Sequence, residues 1–264
     1  MMGFSMAVFR RFVLTAAALG AASGAASAAC RSERFEEAGY IVCSFDLAES
    51  DLRFYWRHPD GKAYGTFTAL AAQLEGQDER LAFAMNGGMY DEDYAPIGLY
   101  VENGQELASA NTKSSPPEIK PIPNFYKKPN GIFYLGADGT AGVTTTEAYL
   151  AAPPKVRFAT QSGPMLLIDG TLHPMFIPGS SDRNPRNGVC APTPTTVDLV
   201  ITEGTVNFHD FGRFFRDRLG CRDALFLDGG SASALYAPEL GRNDGPGHGG
   251  FGPIIAVVTK APGT

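Results

Sequence analysis

Ile97-Gly-Leu-Tyr-Val-Glu102, Asn103-Gly104 and Gln105-Glu-Leu-Ala-Ser109 follow one another without a break. An Asn-Gly pair tolerates positive φ at both central positions of a two-residue turn, so the flanking runs are expected to pair as an antiparallel hairpin. The same grammar recurs outward from here. Residues 132–135 and 143–145 flank Asp138-Gly139 and read as a second hairpin. Residues 40–45 and 52–57 read as strands, the latter closed by Asp60-Gly61. Residues 81–85, 156–160, 165–168, 197–202, 224–227 and 254–258 are apolar runs of strand length. Two stretches have helical spacing instead. Thr66 precedes apolar residues at 67, 70, 71 and 74, and Phe208, Phe211, Phe215 and Leu219 share one face before Gly220. Hairpins dominate over strand–helix–strand units. The expected fold class is α+β: a single domain with a mixed, mostly antiparallel sheet packed by two or three helices.

The chain has 264 residues, 44% hydrophobic and 19% charged, enough to bury a core without a metal or disulfides. A formal net charge of −6 argues against nucleic acid as a partner, which asks for a basic face. Its 31 glycines and 19 prolines suit many turns rather than a helical bundle. Arg10 and Arg11, the apolar residues 12–19, the small residues 20–29 and Ala26-Ser27-Ala28 read as a secretory signal peptide over 1–28, ahead of a domain over 30–264. No internal apolar run is long enough for a membrane span, so none is expected once the signal is removed. A lipoprotein would carry its lipid on Cys30, but Ser27 stands where such signals carry Leu. The expected location is periplasmic or secreted. There Cys30, Cys43, Cys190 and Cys221 favour disulfides, and Cys30–Cys43 with Cys190–Cys221 is the most economical pairing. The rival, a zinc site, lacks a Cys-x-x-Cys knuckle. Oligomeric state is left open.

Four stretches set small and polar residues where an apolar strand is expected to end. They are Ala84-Met85-Asn86-Gly87-Gly88-Met89-Tyr90, Thr160-Gln161-Ser162-Gly163-Pro164, Arg183-Asn184-Pro185-Arg186-Asn187-Gly188 and Leu227-Asp228-Gly229-Gly230-Ser231-Ala232-Ser233. Glycines after a strand let backbone N–H groups approach an anion. Two arginines three apart can grip a phosphate or carboxylate. An aspartate beside such amides is a candidate acid, nucleophile or metal ligand. Taken alone, an Asn-Gly-Gly or Asp-Gly-Gly is more often just a turn, and Arg186 reads equally well as a surface salt bridge. Ser231 and Ser233 lack the Gly-x-Ser-x-Gly context of a serine hydrolase. His58, His173, His209 and His248 are scattered, with no His-Glu-x-x-His pattern. Asp210 also fits simple complementation of a helix dipole. The proline-rich residues 111–130 read as a long loop covering something.

Taken in order, these segments resemble the phosphodiester glycosidase family. Asn86-Gly87-Gly88-Met89-Tyr90 is similar to its Asn-Gly-Gly-aromatic segment, Pro185-Arg186-Asn187-Gly188-Val189 to its Arg-Thr-Ala segment, and Leu227-Asp228-Gly229-Gly230-Ser231 to its Leu-Asp-Gly-Gly-Gly-Ser segment. Lys128-Pro-Asn-Gly-Ile-Phe-Tyr134, Gln161-Ser-Gly-Pro164 and Val206-Asn-Phe-His-Asp-Phe211 resemble its exported bacterial branch. Asn187-Gly188 and Ala232 depart from the uncovering-enzyme pattern, so an N-acetylglucosamine preference does not carry over. The resemblance implies an exported hydrolase that cleaves a sugar-1-phosphodiester in a glycan or envelope component. It implies Asp228 as nucleophile or base and Arg186, with Arg183, on the phosphate. The second carboxylate would be Asp182, Asp210 or Glu203, in that order. Asn86, Ser162, Asn187 and Ser231 would meet hydroxyls or phosphate oxygens, with Gly87, Gly88, Gly163, Gly229 and Gly230 alongside. No cofactor is required, and a calcium or magnesium ion is compatible. The rival readings are a non-catalytic phosphoglycan-binding protein, a metal-dependent phosphodiesterase with Asp228, Asp182 and Asn86 as oxygen ligands, and a structural envelope protein.

Overall fold

A computed structural model describes residues 29–261, with Met1 and Gly3 isolated ahead of them. The expected signal peptide and the last residues of the expected 30–264 domain lie outside the described residues. The strands form three sheets, not one. The largest has seven strands in the spatial order Ala29–Phe35, Ala38–Asp46, Thr196–Thr202, Asn187–Thr193, Ala224–Phe226, Met165–Ile168 and Thr171–Leu172. A second has five: Arg242–Asn243, Leu235–Ala237, Glu79–Asn86, Ile254–Lys260 and Asp51–Tyr55. A third also has five: Gln105–Ala108, Tyr100–Glu102, Val156–Ser162, Gly131–Gly136 and Ala141–Thr145. Every pairing among these described strands is antiparallel, so the sheets are not mixed. The physical reason is twofold. Two helix-bearing connections, residues 56–78 and 203–223, do cross over, but Ile254–Lys260 and Asn187–Thr193 fall between the strands they join and pair antiparallel with both. Open sheets also rarely exceed about ten strands before splitting into packed layers.

The founding hairpin forms as the Asn-Gly pair demands, with φ of 51° at Asn103 and 78° at Gly104. Each sheet turns one face to a shared core, where Phe45, Phe54, Phe83, Phe133, Phe158, Leu199, Leu225 and Ile255 meet. Each outer face is covered by one helix. Helix Phe67–Glu75, capped by Thr66 Oγ1 accepting from Ala69 N at 3.1 Å, lays Phe67, Leu70 and Leu74 on the second sheet. Helix Thr146–Ala151 brings Tyr149 to the third. Helix Phe208–Arg213 lies over the first. The expected long helix over 208–219 stops early, because Phe214–Arg218 winds as a π-helix before Gly220 at φ 70°. In an α-helix consecutive residues point roughly 100° apart. Wider winding lets Phe214 and Phe215 both bury fully, Phe214 stacking 3.8 Å from Tyr40.

Ala29–Phe35 carries too many charges to announce a strand, yet pairs with Ala38–Asp46 and sets Cys30 directly opposite Cys43. The structure joins Cys30 to Cys43 and Cys190 to Cys221. Among the described residues no helix is long and apolar enough to cross a membrane.

Candidate active site

Three of the four glycine-bearing stretches do follow strands. The third, 183–188, instead precedes one, Asn187–Thr193. In an antiparallel sheet the start of one strand lies beside the end of its neighbour, so 183–188 still reaches the edge where Ala224–Phe226 ends. Backbone bonds stitch this edge together. Leu227 N donates to Asn187 O at 3.1 Å, Asp228 N to Gly87 O at 3.2 Å, Gly230 N to Pro185 O at 2.8 Å and Phe226 N to Pro164 O at 3.1 Å. Gly88 lies so close to the second stretch that a Cβ there would stand 2.3 Å from Thr160 Oγ1 and 2.6 Å from Gln161 O. All four stretches therefore converge.

Asn86 is the knot of this edge. It is fully buried. Its Nδ2 donates to Asp228 O at 2.5 Å, and its Oδ1 accepts from Ala234 N at 3.0 Å and Asn187 Nδ2 at 2.9 Å. The side chain expected to meet substrate is thus committed to the fold and fixes the backbone of Asp228. Asn86→Ala strands Asp228 O and Ala234 N, while Asn187 Nδ2 keeps its bond to the Asn86 backbone carbonyl at 3.1 Å. At 1–3 kcal/mol for each of these two unmet buried groups, the expected loss of stability is on the order of 2 kcal/mol or more, read as a lowered denaturant midpoint. A loss below 1 kcal/mol contradicts this role. Asn187 and Ser162 are also buried, and among the described residues neither Asn187 Oδ1 nor Ser162 Oγ finds a hydrogen-bond partner. Gly163 sits inward against Asn130. Gly229 and Gly230 are half-buried and Ser231 is exposed, so these face outward with Asp228.

Asp228 is half-buried, and desolvation alone pushes its carboxyl up to about 7. Among the described residues no basic side chain opposes that rise. Tyr90 stands by: its hydroxyl donates to Gly250 O at 2.9 Å, and burial, reinforced by the Asp228 charge, raises its pKa. The His248 ring centroid is 6.3 Å from that of Tyr90. Sequence reasoning singled out neither. The aromatic position that closes Asn86-Gly87-Gly88-Met89-Tyr90 was the available signal for Tyr90.

Arg186 is 1% exposed. Its Nε donates to Val206 O at 2.8 Å and an Nη2 to Asp182 O at 3.2 Å. The guanidinium carbon lies 3.5 Å from the Phe208 ring centroid and 5.6 Å from that of Phe226. Its nearest carboxylate oxygen, Asp182 Oδ2, is 3.9 Å away on a side chain 60% exposed. Burial pulls Arg186 down to about 10, opposed by Asp182, and it stays charged at neutral pH. Lys127 was hidden in the polar 111–130 loop. Its Nζ lies 5.0 Å from the Phe208 ring centroid and donates to Asn124 Oδ1 at 2.7 Å. Burial lowers its pKa, Arg186 lowers it further, and Asp182 opposes both. Two partly desolvated cations thus share one short carboxylate side chain.

Asp210 and Arg183 bond to other groups. Asp210 N donates to Asn207 Oδ1 at 2.8 Å and Asn207 Nδ2 to Asp210 Oδ2 at 2.9 Å, a reciprocal cap on helix Phe208–Arg213. Arg183 Nη1 stands 3.5 Å from Asp210 Oδ2, and Arg183 Nη2 donates to Thr205 O at 3.0 Å. Glu203 lies against the Gly39 backbone. Neither acid joins Asp228. Among the described residues no three His, Cys, Asp or Glu side chains converge as a metal centre would require. Asn86, one of the ligands such a centre would use, spends its Oδ1 internally.

A family model described as phosphodiester glycosidase matches residues 79–253, which include all four stretches. The uncharacterized protein YigE of Escherichia coli K12 is 35% identical over 185 residues, covering 70% of this chain and 69% of YigE. Among solved structures, the catalytic domain of zebrafish N-acetylglucosamine-1-phosphodiester alpha-N-acetylglucosaminidase, auto-inhibited by its pro-peptide, matches with a TM-score of 0.58 at 14% identity, over 86% of this chain and 81% of that one. A hypothetical protein from Synechocystis matches with a TM-score of 0.52 at 15% identity, over 87% of this chain and 61% of that one. These structural likenesses concern the fold. Family model and YigE identity together go further: the chain belongs to the phosphodiester glycosidase family.

Proposed function

We propose that this protein is an extracytoplasmic hydrolase that releases a sugar from a sugar-1-phosphodiester in a glycan or envelope component. The observation that carries the reading is the pairing of a half-buried carboxyl raised to about 7 with a buried, under-neutralised guanidinium, both beside Phe226. Gly229 packs on the Phe226 ring and Arg186 lies 5.6 Å from that ring's centre, so Asp228 and Arg186 flank a common aromatic wall. A substrate along that wall would set its sugar at Asp228 and its phosphate toward Arg186 and Lys127.

Deprotonated Asp228 takes a proton from a water molecule. The water oxygen bonds to the anomeric carbon as the bond from that carbon to the phosphate oxygen breaks, and the electron pair leaves with a phosphate monoester. That leaving group is already a stable anion. It asks for positive charge, which Arg186 and Lys127 supply, rather than for a strong general acid. Asp228 therefore acts without a second carboxylate beside it, and Asp182 tunes the two cations. Tyr90, Gly229, Gly230 and Ser231 border the sugar, while Asn86 positions Asp228. The two disulfides suit an oxidising compartment, in line with a signal peptide over 1–28.

The pH dependence follows from the carboxyl. Because Asp228 works deprotonated, kcat/KM is expected to rise tenfold per pH unit below about 7 and to level off above it. A profile flat between pH 5 and 8 removes Asp228 as the base. The defining experiment is sugar release from a panel of sugar-1-phosphodiesters by the mature protein, with and without a chelator. Release indifferent to chelator is expected. Release abolished by chelator and restored by a divalent ion replaces this reading with metal-dependent hydrolysis, and binding without release replaces it with a phosphoglycan-binding protein.

A further inference from the structure

Beyond the two cations the surface changes character. A cavity of about 170 Å³ is walled by Lys127, Asp182, Phe208, Phe176, Met175 and Ile177. Phe176 and Phe208 are stacked face to face, centroids 5.0 Å apart at 8°. Phe208 in turn meets Phe226 edge-on at 4.9 Å, so one aromatic row runs from beside Gly229 and Asp228 to this cavity. At its outer lip Met175 is 45% exposed and Ile177 68% exposed. Their exposure is built into a turn. His173 is buried, its Nδ1 accepts from Met175 N at 3.2 Å, its carbonyl accepts from Phe176 N at 3.0 Å, and Ile177 O accepts from Ser180 N at 3.2 Å.

We infer that this cavity holds the alcohol half of the phosphodiester and that the alcohol it takes is an apolar one, alkyl or prenyl in character. The inference rests on the phosphate lying at Arg186 and Lys127 as proposed above. The phosphate's negative charge then sits at the inner end of the cavity, and its ester substituent points along the Phe208–Phe176 wall toward Met175 and Ile177. A sugar alcohol would need hydroxyl partners and an open aromatic face, and the cavity offers few of either. Phe176 and Phe208 occupy one face of each other. Ser180 Oγ accepts from Asp182 N at 3.2 Å, Asp182 Oδ1 accepts from Asn184 Nδ2 at 2.7 Å, and His209 Nδ1 lies 3.4 Å from Asp210 Oδ1. Apart from Lys127, Asp182, Ser180 and His209, the lining is aromatic ring, thioether and branched aliphatic. Ile177 and Met175 form the outer lip and bring no charged or hydrogen-bonding side chain, so they are expected to act on substrate choice.

The test uses product-side probes, which need no turnover: binding of methyl phosphate and of hexyl phosphate to the mature protein by titration calorimetry. Burying even two methylenes is worth about tenfold, so hexyl phosphate is expected to bind at least tenfold tighter than methyl phosphate. Ile177→Ser combined with Met175→Ser is expected to erase that ratio while leaving methyl phosphate binding unchanged. Lys127→Ala is expected to weaken both probes by the same factor. Equal binding of the two probes, no binding of either, or a ratio that survives the double replacement overturns the inference. Chain-length-dependent binding without sugar release from any phosphodiester would keep this site and overturn the hydrolase. Sugar release with no preference between methyl and hexyl diesters would keep the hydrolase and overturn this site.

Discussion

Asp228→Asn is expected to lower turnover by at least a thousandfold and, at the same time, to make the protein more stable at pH 8. The first effect follows from removing the carboxyl proposed as the base. The fold tolerates the change because Asp228 contributes its backbone, not its side chain, to the network: its carbonyl accepts from Asn86 and its N–H donates to Gly87 O. The second effect is a matter of sign. Folding raises the carboxyl from its ordinary 3.8 to about 7. Between those values the unfolded chain has lost the proton and the folded chain still holds it, so stability falls as pH rises, and the full penalty is present above about 7. Three units correspond to about 4 kcal/mol at most, and partial access to water reduces it, so a gain on the order of 2 kcal/mol is expected from the neutral amide at pH 8. The gain fades toward pH 4, where both forms are uncharged. Denaturant midpoints of the two proteins at pH 4, 6 and 8, beside turnover at pH 8, check both effects. Turnover within tenfold of the parent sinks the catalytic assignment. An unchanged midpoint at pH 8 sinks the burial that raises the carboxyl.

Much of this site is readable from residue order, and the limits of that reading are physical. Asn103-Gly104, Asp138-Gly139 and the Thr66 cap act within a few residues, so their turns and helix start are legible locally. Asn86, Arg186 and Asp228 are legible as motifs because each interrupts an apolar strand context with groups that need a reason to be there. The number of sheets is not local information. Inward faces of all three sheets alternate alike, and only packing at Phe54, Phe133 and Phe158 decides that separate sheets share one core. Asp210 shows the same limit. Its position near a helix start fits both a catalytic acid and a cap, and only the fold shows the reciprocal bonds it makes with Asn207 there. Lys127 is invisible among the polar residues of 111–130 until Phe208 and Arg186 are folded beside it. Arg186 and Arg183 look equivalent in sequence, but one stacks on Phe208 in the interior and the other pairs with Asp210 outside.

Arg186→Met is expected to cost two to three orders of magnitude in kcat while leaving stability within about 1 kcal/mol of the parent, or raising it. A buried guanidinium ordinarily justifies itself by its partners, and here those partners do not depend on it. Val206 O also accepts from Asn184 N at 3.1 Å, and Asp182 is exposed enough for its carbonyl to meet water. Methionine keeps the apolar contact with Phe208 and drops a desolvated charge whose counter-ion is 3.9 Å away and mostly in solvent. A protein that keeps such a charge without a stability return has another use for it, and the phosphate of a bound diester is the partner that would complete it. Arg186→Lys separates charge from geometry. A lysine restores the charge but cannot keep bonds to both Val206 O and Asp182 O with its plane against Phe208, so recovery of no more than about tenfold is expected. The measurements are kcat on the best diester and the denaturant midpoint for both variants. If Arg186→Met unfolds the protein, the arginine is structural, and the positive charge for the leaving phosphate must come from Lys127 alone.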